Sequence, residues 1–412
     1  MNRFQTSSVR GLTLLLLLPL AAGPALGQDD GAPDPAQGFE ESTSIRIIEV
    51  PVRVLQKGDP VRGLTAANFE VYDNGELQKL IGFEVVDATA EWVPEILPTG
   101  EVLPLQERRN FFFLFDFAYG GNGMIDARRR LIESATAVRT LIEERLTPSD
   151  RIAIGFFSSL RGIKLITDFT RDRDQTMMAL HAIDLILDAK PQLIRQEFEG
   201  WAPLGPQMPG RKAKTPLGPN RPSLEDLVTE ARTWSQRGDP FLQHDNVIKH
   251  FTWGMREFTE DHQDLGGMNY LVLISKGMIY GDNPILVLAR LQEMFRDLRD
   301  ENWSIQAIST GGLDFGRSSL TLLTHETGGR LFANTRDFDL MFEEMATTTS
   351  VTYMLAFQVS DQVEDGAYHK LVVKLVDGPK RAKLTHRPGY YSPGVTEPKW
   401  IRSSSVPRLP DE

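Results

Sequence analysis

The chain changes its hydrophobic rhythm twice, and those changes predict its organisation. From Ser44 the apolar positions alternate: Ile48, Val50, Val52 and Val54 are separated by Glu49, Pro51 and Arg53. That period of two marks a strand with one buried face. Pro51 favours an edge position, because proline cannot donate to a central ladder. Phe69-Glu70-Val71-Tyr72 and Leu77 to Ile81 flank Asp73-Asn74-Gly75. Asn-Gly between two such runs predicts a hairpin, since both residues tolerate positive φ. Residues 44–95 therefore read as all-β.

Near Asn110 the alternation gives way to continuous apolar runs. Phe111 to Phe115, ending in Asp116, reads as a strand buried on both faces, Arg151–Phe157 as another buried strand and Tyr270–Ile274 as a strand. Further strands are expected at Gly162–Thr167, Trp303–Ile308 and Arg330–Ala333. Helical periodicity separates them at Met124–Leu146, Arg173–Ala189, Val247–Phe258, Pro284–Leu298, Ser318–Thr327 and Asp337–Ala346. Strands alternating with helices argue for a mostly parallel sheet covered on both faces over residues 108–349, with an insertion at 190–240. After Ser350 the chain returns to β, with strands at Tyr353–Phe357 and Lys370–Leu375. Segments 44–95 and 350–395 are each small for an independent core. The expected fold is thus a doubly wound, Rossmann-like α/β domain inserted in one small all-β sandwich formed by both terminal segments. Two separate β modules are the rival arrangement.

The N-terminus changes where this fold is expected to work. Arg3 and Arg10 precede an apolar run from Leu12 to Ala22, and Ala25-Leu26-Gly27 offers small residues at a cleavage site. Residues 1–27 read as a secretory signal peptide. The run spans only about 16 Å as a helix against a bilayer core of about 30 Å. The expected product is exported, periplasmic or extracellular, and soluble, with no transmembrane segment in the mature chain. Residues 28–43 read as a flexible linker and residues 396–412 as a flexible tail.

Composition then narrows the chemistry. None of the 56 acidic residues precedes residue 28 and two of the 45 basic ones do, so the chain beyond carries −13 rather than −11. An acidic balance speaks against nucleic acid as a partner. Cysteine is absent, which excludes disulfides, thiol nucleophiles and Cys-ligated metals. The seven histidines form no His-Glu-x-x-His, and no nucleophile elbow or phosphate loop is present. Gly120-Gly121-Asn122-Gly123 lacks the spacing of a nucleotide-binding turn. No catalytic residue and no cofactor is expected.

Several phrases resemble one family. Gly63-Leu64-Thr65, Asn68-Phe69-Glu70-Val71-Tyr72 and Asn74-Gly75 resemble the opening segment of bacterial secreted von Willebrand factor type A-related proteins. Asp365-Gly366, His369-Lys370 and Arg387-Pro388-Gly389-Tyr390-Tyr391 resemble its closing segment. Thr147-Pro148-Ser149-Asp150-Arg151 and Ile166-Thr167-Asp168-Phe169-Thr170 match the interior of the type A domain. The resemblance covers nearly all of residues 44–395. It implies a six-stranded, largely parallel, von Willebrand factor A-like sheet whose C-terminal strand edge usually holds a divalent cation. In that family's metal-ion-dependent adhesion site the first strand ends in Asp-x-Ser-x-Ser, and an aspartate ends the fourth strand.

This chain departs from that pattern. The matching run is Asp116-Phe117-Ala118-Tyr119-Gly120, and Lys276 in Ser275-Lys276-Gly277 stands where the later aspartate would be. Asp116 is the only retained ligand type, and an ammonium beside a cation costs several kcal/mol, on the order of 4 at an effective dielectric of ~20. The site is expected to be degenerate, with no metal and no Mg²⁺. Either the Lys276 ammonium pairs with Asp116 in place of the metal, or it points into solvent. The candidate partner-binding face is Asp116, Tyr119, Asn122, Ser275 and Lys276. Residues 201–222 are Pro-rich, with Arg211, Lys212, Lys214 and Arg221 and no acid. They form a candidate contact loop for an acidic partner, or else a tolerated surface insertion. The expected function is a non-enzymatic binding, adhesion or scaffolding module for a protein or envelope polymer. A secreted enzyme with a dispersed site and a structural envelope component are the alternatives.

Overall fold

The computed structural model describes residues 45–89, 109–118, 125–159, 161–198, 223–235, 244–263, 265–278, 284–311, 317–333, 337–360 and 366–392. The signal peptide, linker and tail expected at 1–27, 28–43 and 396–412 lie outside these residues. The chain is mixed α/β. Among the described residues no helix is long and apolar enough to cross a membrane.

The N-terminal strands are β1 (Ile45–Gln56), β2 (Asp59–Pro60), β3 (Phe69–Asp73), β4 (Glu76–Gln78) and β5 (Leu80–Asp87). Asn74 and Gly75 turn β3 into β4 with φ of 49° and 90°, the left-handed pair that a tight hairpin needs. The run from Leu77 to Ile81 is not one strand, as its pattern suggested. It breaks at Lys79, so that β4 pairs with β3 in one sheet and β5 joins a different one.

The middle of the chain supplies β6 (Arg109–Asp116), α1 (Ile125–Glu144), β7 (Arg151–Ser158), β8 (Gly162–Thr170) and α2 (Arg173–Leu187). Then come α3 (Pro191–Phe198), α4 (Leu224–Ser235), α5 (His244–Asp261), β9 (Met268–Ser275), α6 (Pro284–Asp300) and β10 (Trp303–Ser309). The last part holds α7 (Arg317–Glu326), β11 (Arg330–Phe332), α8 (Phe338–Thr348), β12 (Val351–Ser360), β13 (Tyr368–Leu375), β14 (Lys383–Thr385) and β15 (Gly389–Tyr391). Helices α3 and α4 fall in the segment 190–240 read as an insertion, outside its Pro-rich stretch at 201–222. They form because Ile194 and Phe198, and Leu227, Val228 and Ala231, repeat at helical spacing and enter the core.

The central sheet runs β11-β10-β9-β6-β7-β8, with β8 antiparallel and the other neighbours parallel. Alternation along β6 divides the core. Phe111, Phe113 and Phe115 pack with residues of α1, α2, α3, α4 and α8, while Phe112 and Leu114 pack with α5, α6 and α7. Every residue of β6, β7, β9 and β10 is buried, which accounts for their unbroken apolar runs.

The terminal strands form two further sheets, β14-β1-β12-β5 and β15-β13-β3-β4, with β2 beside β1. Strand β1 pairs antiparallel with β12 from Ile45↔Ser360 to Val52↔Tyr353, and β3 pairs with β13. Pro51 faces Met354 of β12, while β14 pairs only with Arg53–Leu55, so the missing N–H costs no ladder bond. Val50, Val52, Val71, Leu355, Phe357, Leu371 and Tyr390 share one core between the sheets. Arginines tie this β region to the α/β body. The buried Arg387 donates to Glu49 O and Arg299 O, both at 2.5 Å, and Arg53 donates to Gly328 O.

Candidate functional site

The strand order reverses direction between β6 and β9, and in open α/β sheets ligands bind beyond the C-terminal strand ends at such a point. Asp116 ends β6 and Ser275 ends β9, side by side. The Ser275 hydroxyl donates to Asp116 Oδ2 at 2.5 Å and accepts from Gly277 N at 2.8 Å. Ala118 N donates to Asp116 Oδ1 at 3.0 Å. Gly277 adopts a φ of 95°, which turns its N–H back onto Ser275. Asp116 is 3% exposed, and burial pushes its carboxyl pKa up to about 6 against the pull of the Ser275 and Ala118 hydrogen bonds.

Lys276 is half-buried, and burial lowers its ammonium pKa from the ordinary value. The hydrogen bonds to the Asp116 carboxyl come from Ser275 and Ala118, and Lys276 is not among its ion-pair partners. Strand geometry explains the choice. Ser275 is the last residue of β9 and stands level with Asp116 at the end of β6, so its short hydroxyl meets the carboxylate. Tyr119 and Asn122, and Arg211, Lys212, Lys214 and Arg221 of the candidate contact loop, lie outside the described residues.

The structure adds hydroxyls that the sequence reading passed over. Strand β7 ends in Ser158, followed by Ser159, and β10 ends in Ser309, followed by Thr310, all buried, and Thr310 N donates to Ser275 O at 2.9 Å. Ser319 of α7 accepts from Met278 N at 2.8 Å. Ser159 Oγ is buried with no hydrogen-bond partner among the described residues, and Ser159 O accepts from His250 Nδ1 at 2.8 Å. The signal was present: three of the apolar strand runs end in a serine. Beside them Arg161 pairs with Asp226 of α4 and lies 3.6 Å from Glu230, holding that helix at the same edge.

Asp150 and Asp168, in two further motifs of the sequence, make buried contacts within the fold. Asp150 takes a bidentate pair from Arg109 at 2.8 and 2.6 Å and accepts from Thr147 N at 2.7 Å, at the opposite end of the sheet. Asp168 Oδ1 accepts from Phe169 N and from His262 Nε2 at 2.9 Å, while His262 Nδ1 donates to Phe258 O at 2.7 Å. Among the described residues no group of three or more His, Cys, Asp or Glu side chains is placed to hold a metal ion.

No family model and no curated protein sequence matches the chain. Solved structures similar to it include proximal thread matrix protein 1 of the mussel byssus, at 11% identity and a TM-score of 0.31, covering 60% of this chain and 49% of that one. The chain thus spans about half the length of the mussel protein. The vWF domain of the type V pili tip protein Mfa5 from Porphyromonas gingivalis is similar at 10% identity and a TM-score of 0.32, over 59% of this chain and 96% of that one. Manganese-loaded TRAP protein of Plasmodium vivax is similar at 8% identity and a TM-score of 0.31, over 74% and 96%.

Proposed function

We propose that the chain is an exported, non-enzymatic binding module, a doubly wound von Willebrand factor A-like domain carried by a β-sandwich of its two terminal segments. It binds a protein or an envelope polymer through the C-terminal strand edge around Asp116, Ser275 and Lys276, and it does so without metal. The observation that carries the reading is the closed Asp116–Ser275 pair. A divalent cation needs several hard oxygens in near-octahedral array. Here one carboxylate is committed to Ser275 and Ala118. Ala118 and Gly120 offer no side-chain oxygen, and Lys276 brings a positive charge. The donor set does not fit Mg²⁺. Recognition falls instead to Lys276, Tyr119 and Asn122, and to the basic stretch at 211–221.

The test uses capture of envelope proteins and polymers on immobilised chain, with and without EDTA, beside the Lys276→Glu variant. A partner retained in EDTA and lost with Lys276→Glu supports the reading. Capture that needs Mg²⁺ or Mn²⁺, or saturable heat on titrating either ion into the wild-type chain, refutes metal independence. Capture unchanged by Lys276→Glu moves the binding face elsewhere.

A further inference from the structure

The chain changes sheets between β14, which pairs with β1, and β15, which pairs with β13. Alternate N–H groups of β13 face away from β3 and toward this crossing. Lys370 lies opposite Gly389, and Leu371 N donates to Pro388 O at 2.9 Å. The next such group, Val373 N, comes level with the crossing itself, since Thr385 already lies opposite Arg53 of β1. The His386 side chain takes it. Val373 N donates to Nε2 at 3.4 Å, and Nδ1 donates to Arg387 O at 2.7 Å. These two partners fix the state of the ring. A carbonyl oxygen only accepts, so Nδ1 carries the proton; a backbone N–H only donates, so Nε2 keeps its lone pair. The imidazole is therefore neutral, and it stands in for a backbone carbonyl.

The crossing also sits on the seam between the β region and the α/β body. Where α7 turns into β11, Gly328 packs closely against the His386–Arg387 peptide. A Cβ there would stand 2.7 Å from Arg387 N and 2.9 Å from His386 C. Its φ of 67° is one that glycine adopts without strain. Gly328 O accepts from Arg53, and Arg387 reaches Glu49 O in β1 and Arg299 O in α6. One residue thus caps β13, and the next ties the two regions together.

We propose that His386 is an acid-sensitive latch: protonation of Nε2 sets one N–H against another, frees Val373 from the crossing and loosens the hold of Arg387 on the seam. The charged and titratable groups around the crossing are His325 and Glu326 of α7, Arg53 of β1, Lys374 of β13, Lys383 of β14 and Arg387. Glu326 is paired with Arg299, and Lys374 lies over the Tyr72 ring. Burial lowers the imidazole pKa from its ordinary 6.5, the bond to Arg387 O pulls it back up, and the charge of His325 lowers it further. The opened latch takes a proton near the ordinary value, and the closed latch only at lower pH. The closed state is thus favoured at neutral pH. It loses ground as pH falls below 6.5, by up to about tenfold per pH unit. The Asp116 edge takes no part, so the latch stands apart from the binding function proposed above.

Imidazole nitrogen NMR of the full chain at neutral pH should show His386 with its proton on Nδ1 and none on Nε2. Amide exchange, corrected for its intrinsic pH dependence and referred to β9, should quicken at Val373 and residues 384–388. The gain should reach up to about tenfold between pH 7.5 and pH 5.5. His386→Gln, whose amide oxygen accepts from Val373 N at any pH, should abolish that gain. Scanning calorimetry should resolve two transitions in acid where neutral pH gives one, in wild type and not in His386→Gln. A proton on Nε2 at neutral pH overturns the proposal, and so does corrected exchange that is equal at both pH values. An acid effect that survives in His386→Gln also overturns it, and its loss in His325→Gln would assign the sensing to that residue instead. The NMR and exchange readings on wild type decide the matter even if His386→Gln does not fold.

Discussion

Asp116→Asn should make the chain more stable at neutral pH, with a gain that disappears in acid. The carboxyl has a pKa of about 6 when folded and an ordinary value of 3.8, because burial disfavours its charge. The folded state therefore holds the proton more tightly than the unfolded chain. Stability is fully present below about pH 4 and is lost as pH rises through 6. The difference between the two values is worth about 3 kcal/mol by linkage. Asparagine keeps the shape: its Oδ1 accepts from Ala118 N and its Nδ2 donates to Ser275 Oγ. The Ser275 proton must then find another acceptor, which costs about 1 kcal/mol. A net gain of about 2 kcal/mol is expected at pH 7.5 and none, or a small loss, at pH 4. Urea unfolding of both proteins, followed by tryptophan fluorescence at several pH values, reads the difference. Subtracting the two curves removes other groups that titrate in the same direction, such as Asp184 and Asp300. A variant that is less stable than wild type by the same amount at every pH refutes the reasoning, because Asp116 would then be a compensated anion. A neutral-pH gain that Mg²⁺ abolishes by stabilising wild type alone would place a cation on that anion.

His262→Leu should cost about 2–3 kcal/mol, since Asp168 and Phe258 O each lose a buried partner among Phe169, Phe258 and Trp303; urea midpoints check it. Arg387→Met should separate the unfolding of the β region from that of the α/β body. It removes the donors to Glu49 O and Arg299 O, so scanning calorimetry should turn one transition into two. Gly329→Ala should leave little soluble chain, because a Cβ there would lie 1.7 Å from Ile305 O; normal expression would contradict the packing.

How legible the fold was depends on which force shaped each element. Strands β6, β7 and β9 were readable because burial on both faces demands unbroken apolar runs. Asn74-Gly75 was readable because few residues other than Asn, Asp and Gly tolerate two left-handed positions. Helices α3 and α4 were missed for a related reason. They are short, and each buries only a narrow stripe, Ile194 with Phe198 and Leu227 with Val228 and Ala231. The Pro-rich stretch between them dominates the local composition. The break at Lys79 was hidden because a strand that changes sheet keeps its alternation on both sides of the change.

The site was legible in position but not in its pairing. Asp116 and the Ser275-Lys276 step were visible as ends of apolar runs, because a buried strand that surfaces at a sheet edge must stop being apolar. Which residue would meet the carboxylate was left open by the sequence, with Lys276 either pairing with Asp116 or pointing into solvent. The register of β6 and β9 brings Ser275 to it. Phe115 lies beside Ile274, so Asp116 comes level with Ser275, and the short hydroxyl reaches it without bringing a second charge out of water. A buried Asp–Lys pair would have had to offset the desolvation of two ions, which attraction alone seldom does. Ser275 leaves a single carboxyl to desolvate, and that carboxyl responds by holding its proton to about pH 6. Lys276 stays at the rim, half-buried. The two charges are thus separated: Asp116 becomes part of the core, and Lys276 lies beyond the strand end.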